Sequence, residues 1–219
     1  MKLALHVMRY LKKYPNKRIV IDSRPLVVDD KLKLTAFHPK FLEDYGYADE
    51  EIPNNIPAPH GPELETSIFW DADHAHDVKT RRSVTGLILF VGSTPIAASS
   101  RCQSCIATST YCAEFIAMRC AVEEAISLRY MLRCLGIPIK KGLPINLYGD
   151  NWSVIQSANV PNSEMRKKHI AVSYHFVREA ITAKIINPMW VRLHENLSDV
   201  CTKPLGSCDF KDLVEALMA

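Results

Sequence analysis

The order of apolar runs along the chain predicts an α/β fold: a five-stranded mixed sheet, its first three strands antiparallel, flanked by helices and preceded by a helical appendage. Three observations carry that expectation. "TSIFW" (66–70), "SVTGLILFVG" (83–92) and "TPIAASSR" (94–101) follow one another closely, with "VGSTP" as a hairpin turn between the last two. "STYCAEFIAMRCAVEEAISLRYMLRCLG" (109–136) repeats apolar residues at helical spacing and stops at Gly136 and Pro138. Beyond it, "PINLYGD" (144–150) and "INPMWVRL" (186–193) are strand-like runs separated by helical sequence, which joins strands in parallel rather than by hairpins.

The remaining elements fall around this frame. "LALHVMRYL" (3–11) reads as an amphipathic helix and "RIVID" (18–22) as a candidate strand. Pro53, Pro57, Pro59 and Pro62 exclude a long helix or a central strand, so 50–64 reads as a linker. The expected division is 1–64 as a connecting appendage without a core of its own and 65–219 as the domain, with a cut between 50 and 64 leaving that domain stable. "NWSVIQSA" and "AVSYHFVREAITA" are the helices between the fourth and fifth strands, and "NLSDVCTK" (196–203) is expected to open a last helix.

Composition narrows the function classes. Of 219 residues 47% are hydrophobic and 23% charged, a globular balance. No apolar stretch approaches the ~20 residues of a membrane span, and the first residues lack a signal-peptide cleavage site, so an intracellular chain without a membrane partner is expected. Seven scattered cysteines fit reduced thiols better than a disulfide framework. A net charge of +3 does not by itself demand a polyanionic partner, but the cations gather in "KKYPNKR" (12–18), "KTRR" (79–82) and "RKKH" (166–169).

Four acids stand out against the frame. Glu114 shares a helical stripe with Met118, Ala121, Ala125, Leu128, Leu132 and Leu135, so it points inward, where a carboxylate must be hydrogen-bonded, protonated or bound to a cation. Asp150 ends an apolar strand, and ligands collect outside the carboxyl ends of strands in open α/β sheets. Asp71 ends the first strand, on the face of Phe69 and Ser67 by alternation, and Asp199 lies in the opening turn of the expected last helix. Separately, each aspartate also fits a turn or cap role. Together, they could bring hard oxygen ligands from four elements to one edge of a sheet, which is what Mg²⁺ or Mn²⁺ requires. A zinc set from His74, His76, Cys102 and Cys105 lacks a matching second pair.

The strings "DADHAHDVKTRRSVTG" (71–86), "TSTYCAEFIA" (108–117), "YGDNWSVI" (148–155), "KKHIAVSYHFVREAI" (167–181) and "LSDVCTKPL" (197–205) resemble, in order, the ribonuclease H domain of copia-type LTR retrotransposon Pol polyproteins. The resemblance runs from about 65 to 205, and "LALHVMRYLKKYPN" resembles the segment joining reverse transcriptase to ribonuclease H in those polyproteins.

The resemblance implies a ribonuclease H-like fold and a metal-dependent endonuclease that cuts the RNA strand of RNA–DNA hybrids. Asp71, Glu114, Asp150 and Asp199 match the family's catalytic, metal-binding carboxylates, for two Mg²⁺ or Mn²⁺ ions. Selectivity is expected from 2′-hydroxyl and minor-groove contacts, with Arg166, Lys167, Lys168 and His169 as nucleic-acid-binding residues. A reverse transcriptase domain is the expected neighbour in the full-length polyprotein, and cytoplasmic particles or the nucleus the expected location. Because no polymerase signature precedes the domain, the chain reads as a fragment or a relic of a longer element; a catalytically inactive binding or interaction module is the alternative. An integrase-type transferase fits less well, since that group takes its glutamate from a helix after the last strand.

Overall fold

The computed structural model describes residues 12–28, 40–46, 50–139, 142–160 and 171–218. Its elements are α1 (Lys40–Tyr45), β1 (Thr66–Asp73), β2 (Val84–Val91), β3 (Thr94–Cys102), α2 (Thr110–Cys134), β4 (Ile145–Gly149), α3 (Trp152–Asn159), α4 (Ala171–Thr182), β5 (Ile186–Trp190) and α5 (Ser207–Leu217). Two 3₁₀ turns, Leu193–Glu195 and Leu197–Cys201, lie between β5 and α5. The five strands form one sheet in the order β3-β2-β1-β4-β5. β1–β2 and β2–β3 pair antiparallel, whereas β1–β4 and β4–β5 pair parallel. This is the expected five-stranded mixed sheet with its first three strands antiparallel.

β1 is the central strand, so both of its faces are covered and alternation sorts its residues between two cores. Ile68, Trp70 and Ala72 join Leu87, Leu89, Ile145 and Leu147 beneath α2. Phe69 joins Ile88, Phe90, Tyr148, Met189, Leu197 and Leu213 on the other face. There Phe69 packs on Tyr148 with ring centroids 4.9 Å apart and on Phe90 at 5.6 Å. In α2, Met118, Ala121, Ala125, Leu128 and Leu132 are buried as the stripe predicts. Leu135 departs from it: it is the C-cap of the helix and 67% exposed, because the chain turns away at Gly136.

Parts of the first 64 residues join this body. Phe41 of α1 is fully buried in the core beneath α2, and its neighbour Tyr45 bonds His175 of α4 at 2.7 Å. Glu50 reaches Arg129 and Arg133 of α2. The proline-rich stretch runs beside the end of α2, where the His60 N–H donates to Gly136 O and the Leu64 N–H to Pro138 O. "RIVID" is not a strand; its Asp22 instead bonds the β2–β3 turn through Ser93 and Thr94. "LALHVMRYL" lies outside the described residues.

Candidate metal centre

The carboxyl ends of β1 and β4 lie side by side at one end of the sheet, and Asp71 and Asp150 stand there. β1 runs two residues past Asp71 to Asp73, which leaves Asp71 held inside the ladder opposite Gly86 of β2. Asp71 is 1% exposed. Asp150 follows β4 directly, its backbone carbonyl accepting the Trp190 indole N–H at 2.8 Å. Gly149 before it has no room for a side chain: a Cβ would lie 2.3 Å from Cζ2 of Trp70. That close approach seats the end of β4 against β1.

Asp199 arrives differently from the expectation. The last helix does not open at 196–203; Asp199 sits in the second 3₁₀ turn, and α5 starts only at Ser207. The interruption has a local cause, since Pro204 cannot continue a helix and Gly206 follows it. Buried Asn196 anchors the turn by donating to Trp70 O at 3.1 Å and accepting from the Ser198 hydroxyl. The turn then packs on β2 at Gly86, where a Cβ would meet Thr202 Cγ2 at 2.5 Å and Ser198 O at 2.9 Å. Gly86 thus lets Asp199, Thr202 and Lys203 close over Asp71.

Ligand oxygens of Asp71, Asp150 and Asp199 all lie within 4.8 Å of one another. It is the one such acid, histidine or cysteine group among the described residues. Glu114 stands outside this tight set but lines the same open cleft of about 730 Å³, together with Asp150, Lys203, Asp73, His74 and Trp152. The helix carrying Glu114 and the turn carrying Asp199 lie on opposite faces of the sheet, and the cleft lined by Glu114, Asp150 and Lys203 joins the two sides.

The electrostatics follow from burial. Glu114 is pushed up to about 9, first by burial and then by the charges of Asp71 and Asp150. Burial, then Asp71, lifts Asp199 to about 6, and Asp150 rises for the same two reasons. Lys203 bonds Asp199 Oδ1 at 3.1 Å and Asp71 Oδ2 at 3.3 Å. Burial alone would lower the lysine, but Asp71 and Asp199 outweigh it and its pKa is raised. The Thr202 hydroxyl donates to the same Asp71 Oδ2. Asp71 Oδ1 and Glu114 Oε2 remain buried without any hydrogen-bond partner. Orphaned carboxylate oxygens beside a converging set of hard donors fit a divalent cation.

The rest of "FWDADHAHD" has local roles. His74 Nε2 bonds Ala107 O at 3.1 Å, His76 Nδ1 bonds Asp73 Oδ2 at 2.5 Å, and Asp77 caps the β1–β2 turn by accepting from Lys79 N and Thr80 N. Cys102 and Cys105 are exposed and not joined in a disulfide. Trp152 is 39% exposed on the cleft wall, edge-on to Trp190. Arg166, Lys167, Lys168 and His169 lie outside the described residues. Sequence reasoning missed Asn196, Thr202, Lys203 and the close contact at Gly86; the Asp199/Lys203 spacing of four was the one legible signal.

No protein-family model matches the chain. Among curated proteins, it is 33% identical over 135 residues to the retrovirus-related Pol polyprotein from transposon TNT 1-94 of Nicotiana tabacum, covering 62% of this chain and 10% of that protein. It is 30% identical over 157 residues to the Pol polyprotein from transposon RE1 of Arabidopsis thaliana, covering 72% and 11%. Over these stretches the chain is homologous to part of the retrovirus-related Pol polyproteins of plant transposons. It spans about a tenth of the length of these Pol relatives. Solved structures similar to it include the N-terminal RNase H domain of a Mycobacterium tuberculosis protein (14% identity, TM-score 0.48, 71% of this chain and 96% of that one). RNase H1 of Halobacterium salinarum aligns at 15% identity and TM-score 0.48, over 63% of this chain and 94% of that one.

Proposed function

We propose that this Pol-related chain carries a ribonuclease H activity, the metal-dependent hydrolysis of the RNA strand of an RNA–DNA hybrid. The observation that supports it most is the meeting of Asp71, Asp150 and Asp199 within 4.8 Å, with Asp150 lining an open cleft and with Asp71 Oδ1 and Glu114 Oε2 buried without partners. Asp71, Asp150, Asp199 and, from the helix, Glu114 would hold two Mg²⁺ or Mn²⁺ ions. Such ions supply activation of a water nucleophile and stabilisation of the leaving oxygen in an in-line displacement at phosphorus.

The chain's own residues set up that chemistry. Thr202 and the Gly86 contact fix Asp71, Trp190 fixes the backbone of Asp150, and the N-cap Ser109 starts the helix that brings Glu114 over the strand ends. Trp152 offers a partly exposed ring at the cleft wall for stacking on a sugar or base. Lys79, Arg81 and Arg82 are exposed on the β1–β2 turn at the same end of the sheet; with Arg166, Lys167, Lys168 and His169 they would neutralise backbone phosphates. In the full-length polyprotein a reverse transcriptase domain would be the neighbour. The test is a gel assay of purified protein on a hybrid labelled in its RNA strand, with Mg²⁺ or Mn²⁺, beside Asp150→Asn. Cleavage confined to the RNA strand and lost in the variant is expected. Hybrid binding without cleavage under either ion would overturn the nuclease and leave a binding module.

A further inference from the structure

The centre holds an uneven set of charges: four carboxylates gather round one end of the sheet, and one lysine stands among them. Lys203 takes the position a small cation would take. Its ammonium lies 3.3 Å from Asp71 Oδ2 and 3.1 Å from Asp199 Oδ1, bridging acids that come from two elements, while Asp71 Oδ1 has no partner. The lysine is rooted at the end of the 3₁₀ turn by its own N–H donating to Asp199 O, and its side chain is one-third exposed.

We propose that Lys203 is a tethered counter-ion that holds the carboxylates together before metal arrives and must be displaced for a divalent ion to bind. This rests on the metal-centre reading above and adds to it what sets the affinity. The physical case has three parts. An ammonium is a compact point charge on a flexible stem, unlike an arginine fork that would lock two oxygens in place. Partial exposure lets the head swing to water when its oxygens are taken, while its stem stays against the protein. The oxygens it uses belong to the same tight acid group that a divalent ion would need, so ammonium and ion compete for them.

The test measures metal rather than turnover. Lys203→Met in the full chain, titrated with Mn²⁺ and read by electron paramagnetic resonance of the free ion, should bind the first ion roughly tenfold tighter, because a unit charge a few ångströms from a divalent ion has been removed. In EDTA the same variant should melt at a lower temperature than the parent, and Mn²⁺ should raise its melting temperature by more. Lys203→Arg, which keeps the charge, should retain the parent's metal-free melting temperature and bind Mn²⁺ no more tightly. If the parent binds Mn²⁺ and Lys203→Met binds it equally or more weakly, the counter-ion role is wrong and the metal-centre reading stands. If the parent binds no Mn²⁺, both fall together.

Discussion

Two acidic sites in this molecule solve opposite problems. At the far end of α2, the single carboxylate of Glu50 is clamped between two guanidinium groups, Arg129 Nη2 at 2.8 Å and Arg133 through both of its terminal nitrogens. Arg129 also donates to Leu143 O, so the clamp closes the linker and the entry to β4 on the helix. At the near end, Asp71, Glu114, Asp150 and Asp199 share one lysine. The pKa shifts separate the two. Burial works against Glu50, but Arg129 and Arg133 hold it down at about 2, whereas burial and like charge push Glu114 up to about 9. A satisfied acid ties structure together; an under-compensated set of acids attracts further positive charge.

Removing a carboxylate should therefore do different things at the two ends. Asp150→Asn should reduce RNA cleavage by at least ~10³-fold, taking several kcal/mol of transition-state charge stabilisation as the loss. Its fold should survive, and its metal-free melting temperature should equal or exceed the parent's because repulsion is relieved, checked by melts in EDTA. Glu50→Ala should act the other way, leaving two buried guanidinium groups uncompensated at a cost of about 3 kcal/mol, measured by urea unfolding. Equal destabilisation by the two variants would erase the contrast.

A third change targets what places the near cluster. In Gly86→Ala the new methyl would meet Thr202 Cγ2 and Ser198 O, so the 3₁₀ turn must lift from Asp71. We expect about 1–3 kcal/mol of destabilisation from overpacking, together with weaker Mn²⁺ binding. Loss of stability with unchanged metal affinity would mean that the turn moves without carrying Asp199 away.

The pH dependence of the metal-free protein sharpens the contrast further. Glu114 has its folded pKa raised above the ordinary 4.5, so its contribution to stability is fully present below about 4.5 and is lost as pH rises towards about 9. Glu50 has its folded pKa depressed, so its contribution is present above about 4.5 and is lost as pH falls towards 2. In EDTA the melting temperature should fall between pH 6 and 9, and Glu114→Gln should flatten that fall. A slope untouched by Glu114→Gln would assign it to other groups.

How much of this was legible in the sequence depended on whether the signal was local. The five-stranded mixed sheet with its antiparallel first three strands followed from strand-like runs and the long helical stripe, and Asp71, Glu114 and Asp150 came with the elements that carry them. The 3₁₀ turn under Asp199 was not legible as a turn, because "NLSDVCTK" has helix-start chemistry and the packing at Gly86 that decides its geometry is a contact with a strand far away in the chain. Glu50 was hidden for the same reason: it lies in a proline-rich stretch, and its two arginines are about eighty residues away. Phe41, in a short helix, carries no periodic signal that would assign it to the core.

The smallest effect expected lies outside both sites. Lys168 belongs to the basic run 166–169, and its proposed work is neutralising phosphate rather than holding metal. Lys168→Ala should weaken hybrid binding similarly across sequences and reduce the slope of log affinity against log salt by about one unit, as losing one phosphate contact does. Mn²⁺ affinity should stay at the parent value, since the charge that recruits the ion belongs to the carboxylates. Fluorescence anisotropy on a labelled hybrid across a salt series separates the two quantities. A variant with the parent's salt slope would remove Lys168 from the interface and shift the phosphate-binding role to other cations, Lys79, Arg81 and Arg82 first among them.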